Sequence, residues 1–326
     1  MIDGLNNLIE WVISILTPIG ITEPVFQFML VAALLGLSIY LTLHTGMFSL
    51  ANAGFMAIGA YVSVILTQEF DQPLWVGILG GMIAAGIIAI PIGLPVLRLR
   101  DIYLAIATIG FSEVVRIILL NFDDIVSTVL TSLEGERVRF RLLNGGRGIR
   151  PIPKLTETWM LVLFLIAVMF MLDRLARSRL GRAMVAIRQD EKAAANMGIN
   201  VVYVKTMAFV LGAVLAGAAG GFNAHLKGII TPADFDFTLI VDILAYAVLG
   251  GTTIWVGPVV GALVLRAMPE ILRDLNQYRG VFNGLVLLLV IIYIPNGLIN
   301  PAGWKRVWNR YFRRREPATQ IIAESE

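Results

Sequence analysis

The 326-residue chain contains no cysteine, which removes disulfides, thiol redox chemistry and cysteine metal ligands from consideration. It has only two histidines, His44 and His225, each at the end of an apolar run with no companion at metal-ligand spacing, so no metal site is expected. Charge is scarce as well: Asp, Glu, Lys and Arg make up 15% of the residues, against roughly 25% in ordinary soluble domains. No G-x-x-x-x-G-K-[ST] segment occurs, so no phosphate loop is available to hold a nucleotide, and no catalytic residue or bound cofactor is expected. The opening "MIDGLNNLIEWVIS" has no positive n-region and carries Asp3 and Glu10, which argues against a cleaved signal peptide.

Apolar residues are abundant. They reach 57% of the chain, the mean hydropathy is +0.79, and they fall in runs close to the roughly 20 residues a helix needs to cross a bilayer. These runs are residues 25–43, 47–67, 74–97, 102–120, 159–172, 206–225, 239–249, 256–268 and 281–299, with 5–19 a weaker candidate. The predicted fold is an all-α polytopic bundle of roughly 8–10 transmembrane or re-entrant helices. The runs at 239–249 and 256–268 are short and joined by the Gly-rich "LGGTTIWVG", which fits either a re-entrant pair lining an interior pathway or two tilted spans.

Basic residues set the orientation. Arg98, Arg100, the seven from Arg174 to Lys205 and the six from Lys305 to Arg315 fall on one side when both termini are cytoplasmic. The net charge of +3 therefore reads as topology, with no case for nucleic acid. The predicted organisation is a membrane domain over residues 1–304, with an external polar connection at 121–157, a cytoplasmic loop at 173–205 and a basic tail at 305–326. That tail mixes Trp308, Tyr311 and Phe312 with arginines, a composition suited to anionic lipid headgroups.

Several polar residues interrupt the apolar runs. Glu113 and Arg116, three apart in "IGFSEVVRII", share a helical face and are expected to pair, lining a pathway or fixing a helix contact. Asn52 in "SLANAGFMAIGAY" can bond across a helix interface or to a substrate. Asp242 is placed near the outer end of the short run at 239–249, where it either borders the pathway or a helix interface or sits in the outer headgroup zone. On the external side Arg137, Arg139 and Arg141 alternate with apolar residues, a period of two that predicts a short strand with one basic face. In the cytoplasmic loop, "LGRAMVAIRQDEKAAANMGIN" (180–200) reads as a surface helix with Leu180, Ala183, Met184 and Ile187 on one face and Gly198 as its terminator.

That loop, followed by "KTMAF", resembles the ATPase-coupling loop of the LivM-type permeases of branched-chain amino acid ABC importers. "SLANAGFMAIGAYVS", "LRLRDIYLAIATIGFSEVVRIIL", "AVLGGTTIWVGPVVGALVL" and "LVLLLVIIYIPNGLI" are similar to the family's other motifs, in its order, over residues 25–304. The resemblance implies a bacterial-type inner-membrane importer subunit. It would work with a homologous second permease, two ABC ATPase subunits that use ATP and Mg, and a soluble substrate-binding protein docked on Arg137, Arg139 and Arg141. It further implies that Arg188, Asp190 and Glu191 make polar contacts with the ATPase, that Ala194 and Ala195 pack in its cleft, and that Gly198 ends the helix. The family pattern sets Glu and Gly six apart, whereas Glu191 and Gly198 are seven apart, so either Asp190 or Glu191 remains open as the acidic contact. Implied cargoes are branched-chain or other neutral amino acids, with urea or short amides as alternatives. A self-sufficient secondary transporter, with Glu113, Arg116 and Asp242 handling ions, would call for an inverted repeat that the sequence does not display.

Overall fold

The structure, a computed structural model, describes residues 17–99, 101–134 and 141–271, together with isolated residues among 4–14 and 284–292. The basic tail, Arg137 and Arg139 lie outside the described residues, as do most of the runs at 281–299 and 5–19.

Ten α-helices are described: α1 Glu23–His44, α2 Asn52–Gln68, α3 Leu74–Val96, α4 Asp101–Glu134, α5 Thr158–Arg177, α6 Arg179–Gln189, α7 Glu191–Asn196, α8 Val201–Lys227, α9 Phe237–Gly250 and α10 Val256–Ile271. Five of them, α1, α3, α4, α5 and α8, are long and apolar enough to cross a membrane. Among the described residues there is no strand, only an isolated antiparallel bridge between Ile149 and Ile230.

Side-chain contacts order the two ends of the bundle. At the far end, Gln27 of α1 donates to the Thr158 hydroxyl (2.8 Å), which donates to Glu23 (2.7 Å). There too Gln68 of α2 bonds the Pro151 carbonyl, and the Ile149–Ile230 bridge ties the loops before α5 and α9. At the near end lie the last turn of α1, the start of α8, and α6 and α7. α9 descends from the far end and α10 climbs back, so these two form an antiparallel hairpin whose tip points toward the near end.

The core is where α2, α3 and α8 meet, packed backbone to backbone. A Cβ at Gly59 would sit 2.2 Å from the Gly217 carbonyl oxygen, and one at Gly81 would sit 2.6 Å from that of Gly59. With lipid tails as apolar as leucine, such close approach of small residues is what holds membrane helices together. α1 packs on the other side of α8 and is buried along nearly its whole length. α4 and α5 lie at the periphery, with long exposed apolar faces.

Three boundaries differ from the sequence reading. The run at 47–67 is helical only from Asn52; residues 47–50 form no regular element, with Met47, Ser49 and Leu50 all buried. Gly46 ends α1 at φ +82°, and the chain then turns back into the bundle alongside α1. Two hydroxyls of α4 accept the backbone donors this leaves. Thr108 takes the Leu50 N–H (2.9 Å) and Ser112 the Gly54 N–H (3.2 Å). Irregular backbone at membrane depth is tolerable where protein covers and satisfies it. α4 itself runs on to Glu134 instead of stopping near residue 120, because nothing in "NFDDIVSTVLTSLE" breaks a helix and its hydroxyls bond back one turn, as Ser127 does to the Asp123 carbonyl (2.6 Å). The surface helix expected over 180–198 is two helices. Asp190 adopts an extended conformation between them and caps α7 by accepting from the N–H groups of Lys192 (2.8 Å) and Ala193 (3.0 Å).

Candidate functional site

At the near end, the local chemistry of "SRLGRAMVAIRQDEKAAANMGIN" explains the shape of the loop. Ser178 caps α6 by accepting from the Gly181 N–H (3.2 Å), and Gly181, Met184 and Ile187 bury one face against the bundle. Asp190 restarts the helix, Gly198 takes φ +83° after it, and Asn200 caps α8 through the Tyr203 N–H (3.0 Å). The loop is therefore a folded unit with defined caps, seated on the bundle by an apolar stripe.

The residues expected to reach a partner divide into two groups. Arg188 turns back to its own chain: one guanidinium nitrogen donates to the Thr252 carbonyl (3.2 Å) and another to the Thr252 hydroxyl (3.1 Å). Glu191 pairs with Lys205 of α8 (2.7 Å), and the lysine side chain is only 12% exposed. Asp190 is occupied as a cap, and Ala194 is buried against the chain's own bundle. Lys192, Ala193, Ala195, Asn196, Met197 and Gly198 face outward, Met197 most of all at 84% exposed. Between α7, Lys205, Gly46, Met47, Leu99 and Leu104 lies a cleft of about 270 Å³.

Sequence reasoning missed Thr252 and Lys205. Both are ordinary residues whose importance comes from contacts 64 and 14 positions away. Tyr40 and His44 were missed as part of the same cluster. Their rings stack at 4.9 Å on the last turns of α1, the helix that packs against α6 at this end. The signal available was that His44 and Tyr40 are four apart, on one helical face.

Deeper in the bundle Asn52 is buried and donates to the Ser38 hydroxyl of α1 (2.8 Å), and Ser38 in turn donates to the Leu35 carbonyl (2.7 Å). Glu113 and Arg116 form a bidentate pair on α4, with contacts of 2.9 and 2.5 Å. The pair lies on the open side of the bundle: the Glu113 side chain is 44% exposed within this chain. Asp242 is half-buried on α9 a turn and a half from its far-end start.

At the far end Arg141 is exposed, and the loop that follows it is strapped to α4 by Asp123, whose carboxylate accepts from the N–H groups of Leu142 (3.0 Å), Leu143 (3.0 Å) and Asn144 (2.7 Å). His225, fully buried, reaches the same region. Its Nδ1–H donates to the Pro153 carbonyl (3.1 Å), which leaves Nε2 to accept from the Ser63 hydroxyl (3.4 Å). Asp234 closes a capping box with Thr231 and pairs with Lys227 (2.8 Å). Burial pushes its carboxyl up, but the bonds from Lys227 and Thr231 more than offset this and hold it below the usual aspartate range.

Known proteins share this layout in sequence. Residues 21–294 match the model of a family described as branched-chain amino acid transport system, permease component. The LivM permease protein of the high-affinity branched-chain amino acid transport system of Salmonella typhimurium strain LT2 is 34% identical over 285 residues, covering 81% of this chain and 66% of that protein. The LivM protein of Escherichia coli K12 is 33% identical over 283 residues with the same coverage. The LivH permease of the Salmonella system is 28% identical over 277 residues, covering 78% of this chain and 86% of its own. The chain thus spans just under two thirds of the length of the LivM proteins it matches. No solved structure matches. A match that runs from the start of α1 past the end of α10, through the near-end loop and the hairpin alike, makes this chain a member of the family of permease components of branched-chain amino acid transport systems.

Proposed function

We propose that the chain is one permease subunit of an ATP-driven importer of branched-chain or other neutral amino acids in a bacterial-type inner membrane, with both termini in the cytoplasm. The observation that carries this reading is the near-end loop. It is a capped pair of short helices held to the bundle by its apolar face, with Lys192, Ala193, Ala195, Asn196 and Met197 exposed among the described residues. Two ATPase subunits supply ATP hydrolysis with Mg, a homologous permease completes the pathway, and a soluble binding protein delivers substrate to the far end, where Arg141 and the exposed Arg147 and Arg150 give a basic surface.

The contacts within the loop refine the expected roles. Asp190 and Glu191 shape and seat α7, while Lys192, Ala195 and Met197 are the groups left to meet the ATPase. The exposed carboxylate of Glu113 also supports a multi-subunit assembly, since a charge at membrane depth is costly unless protein or water covers it.

The test is purification of the tagged chain from its native membranes in mild detergent, with partners identified by mass spectrometry. A second permease and two P-loop ATPases are expected. Recovery of the chain alone, under conditions that keep a reference importer intact, would refute the reading and make ion dependence of uptake the next assay.

A further inference from the structure

Besides its apolar seat on the bundle and the Glu191–Lys205 pair, the near-end loop reaches the link between α9 and α10 through a side chain. Arg188, at the end of α6, holds both the carbonyl and the hydroxyl of Thr252. Thr252 sits in the link between α9 and α10, just after Gly251 turns the chain at φ +89°. The two helices of the hairpin meet backbone to backbone there: a Cβ at Gly250 would lie 1.8 Å from the Gly257 carbonyl oxygen, and one at Gly261 would lie 2.1 Å from that of Tyr246. Such a hairpin resists internal rearrangement, so a displacement imposed at its tip moves the pair together.

The same arginine is pressed against a second irregular segment. Gly46, whose φ is +82°, lies where a Cβ would be 3.0 Å from the Arg188 Cα. It opens the irregular stretch 47–50 that leads inward to the start of α2. α1, whose last turn precedes Gly46, is the third element at this point and packs against α6. One side chain of the loop thus touches the two breaks in the helical bundle that lie nearest it. Breaks of this kind are where backbone can change conformation without unwinding a span.

We propose that Arg188 is a positioning residue for transport. It latches the hairpin tip, residues 251–255, to α6, so that motion of the loop is delivered to α9 and α10 rather than absorbed at the surface. The proposal rests on the reading of the loop as an ATPase-coupling element. The guanidinium suits this role because it holds two acceptors of one residue in fixed geometry, which a lysine amine does not.

The chain has no native cysteine, so a single one reports without background from its own sequence. Thr253, exposed at the tip, is changed to Cys in the assembled complex in lipid nanodiscs. The rate of maleimide labelling of this chain is then measured without nucleotide and with ATP plus vanadate. With Arg188 present the two rates should differ by about fivefold or more. Arg188→Gln should abolish the difference and lower substrate moved per ATP, while Arg188→Lys should restore part of both. Thr252→Val, which removes one acceptor and leaves the arginine, should reduce the difference in the same way even if Arg188→Gln weakens the fold. An undiminished nucleotide-dependent difference in Arg188→Gln overturns the latch, as does no difference at all in a complex that transports with Arg188 intact. If the ATPase subunits do not copurify, the coupling reading itself falls and takes the latch with it; a latch failure in a fully assembled complex leaves that reading standing.

Discussion

Replacing Gly59 by alanine adds one methyl group where α2, α3 and α8 cross. The new Cβ would lie 2.2 Å from the carbonyl oxygen and 2.3 Å from the Cα of Gly217, against the 3.4 Å at which ordinary contact begins. Both neighbours are backbone on α8, so no side chain can rotate away and the helices must separate by about an ångström. Separation there also strips the Gly81 contact on α3, because Gly81 rests on the Gly59 carbonyl. Overpacking in a core costs about 1–3 kcal/mol, and a contact with backbone on both sides belongs at the upper end. A loss of about 3 kcal/mol corresponds to roughly 6–12 °C in apparent melting temperature. The assay is thermal unfolding of the purified chain in detergent, alongside Gly110→Ala. Gly110 is an exposed glycine within α4 with nothing inside 4 Å, where alanine should be neutral or gain up to about 1 kcal/mol of helix propensity. Equal melting temperatures for the two variants would refute the view that this crossing is closed by backbone contact.

Glu191→Lys sets a like charge against Lys205, whose amine sits 2.7 Å from the native carboxylate. α7 should lose its seat and uptake per ATP should fall several-fold, whereas an unchanged ratio of transport to hydrolysis would show that the pair does not support coupling. Glu113→Gln removes the charge that Arg116 holds in a bidentate grip. Transport should fall while complex assembly, followed by copurification, persists; a fully active variant would leave the pair a packing feature only. Asp234→Asn should raise hydrogen exchange in residues 228–236, since both its capping bonds and its pair with Lys227 depend on the carboxylate. The folded carboxyl is held below its ordinary value, so its contribution is complete above the unfolded pKa of about 3.9 and fades as pH falls through the lower folded value. Wild-type exchange in this loop should therefore resemble that of Asp234→Asn only below about pH 4, and a similarity already present at pH 6 would contradict the assignment.

Long hydrophobic runs sufficed to place α1, α3 and α8, and the shorter run 159–172 to place α5, because a bilayer demands length and composition together. The break between the two short helices was legible in "LGGTTIWVG", while the sequence left open a re-entrant pair or two tilted spans. The late start of α2 was not. Residues 47–50 are as apolar as a helix requires, and what receives the backbone there and at the start of α2 is a pair of hydroxyls on α4, Thr108 and Ser112, each 58 positions away from the N–H group it accepts. Asp190 followed by Glu191 did carry a cap signal within the surface loop, but it was read as part of a continuous helix because the apolar spacing on both sides was stronger. The functional candidates divide along the same line. Glu113 and Arg116 are neighbours by helical spacing and meet in the structure, while the partners of Arg188 and Glu191 belong to elements that only the fold brings near.

The exposed side of α4 bears on how the subunit sits in its assembly. Ile106, Val114, Ile117, Ile118, Ile125 and Val129 are all uncovered, a composition that lipid would accept. Glu113 lies among them about 18 Å along the helix from its near-end start, with much of its side chain exposed. A charged side chain deep in hydrocarbon costs about 2.5–3.5 kcal/mol even on the mildest scale, and the pairing with Arg116 neutralises the charge without removing two strongly hydrated groups from lipid. A neighbouring subunit or a water-filled path between subunits removes that cost, and either places this face of α4 at the centre of the transporter rather than on its rim. Spin labels at Val114 and Ile117 in the assembled complex distinguish the two arrangements. Exposure to a lipid-soluble relaxing agent would put α4 on the rim, whereas immobilised or water-exposed labels would put it at the subunit boundary.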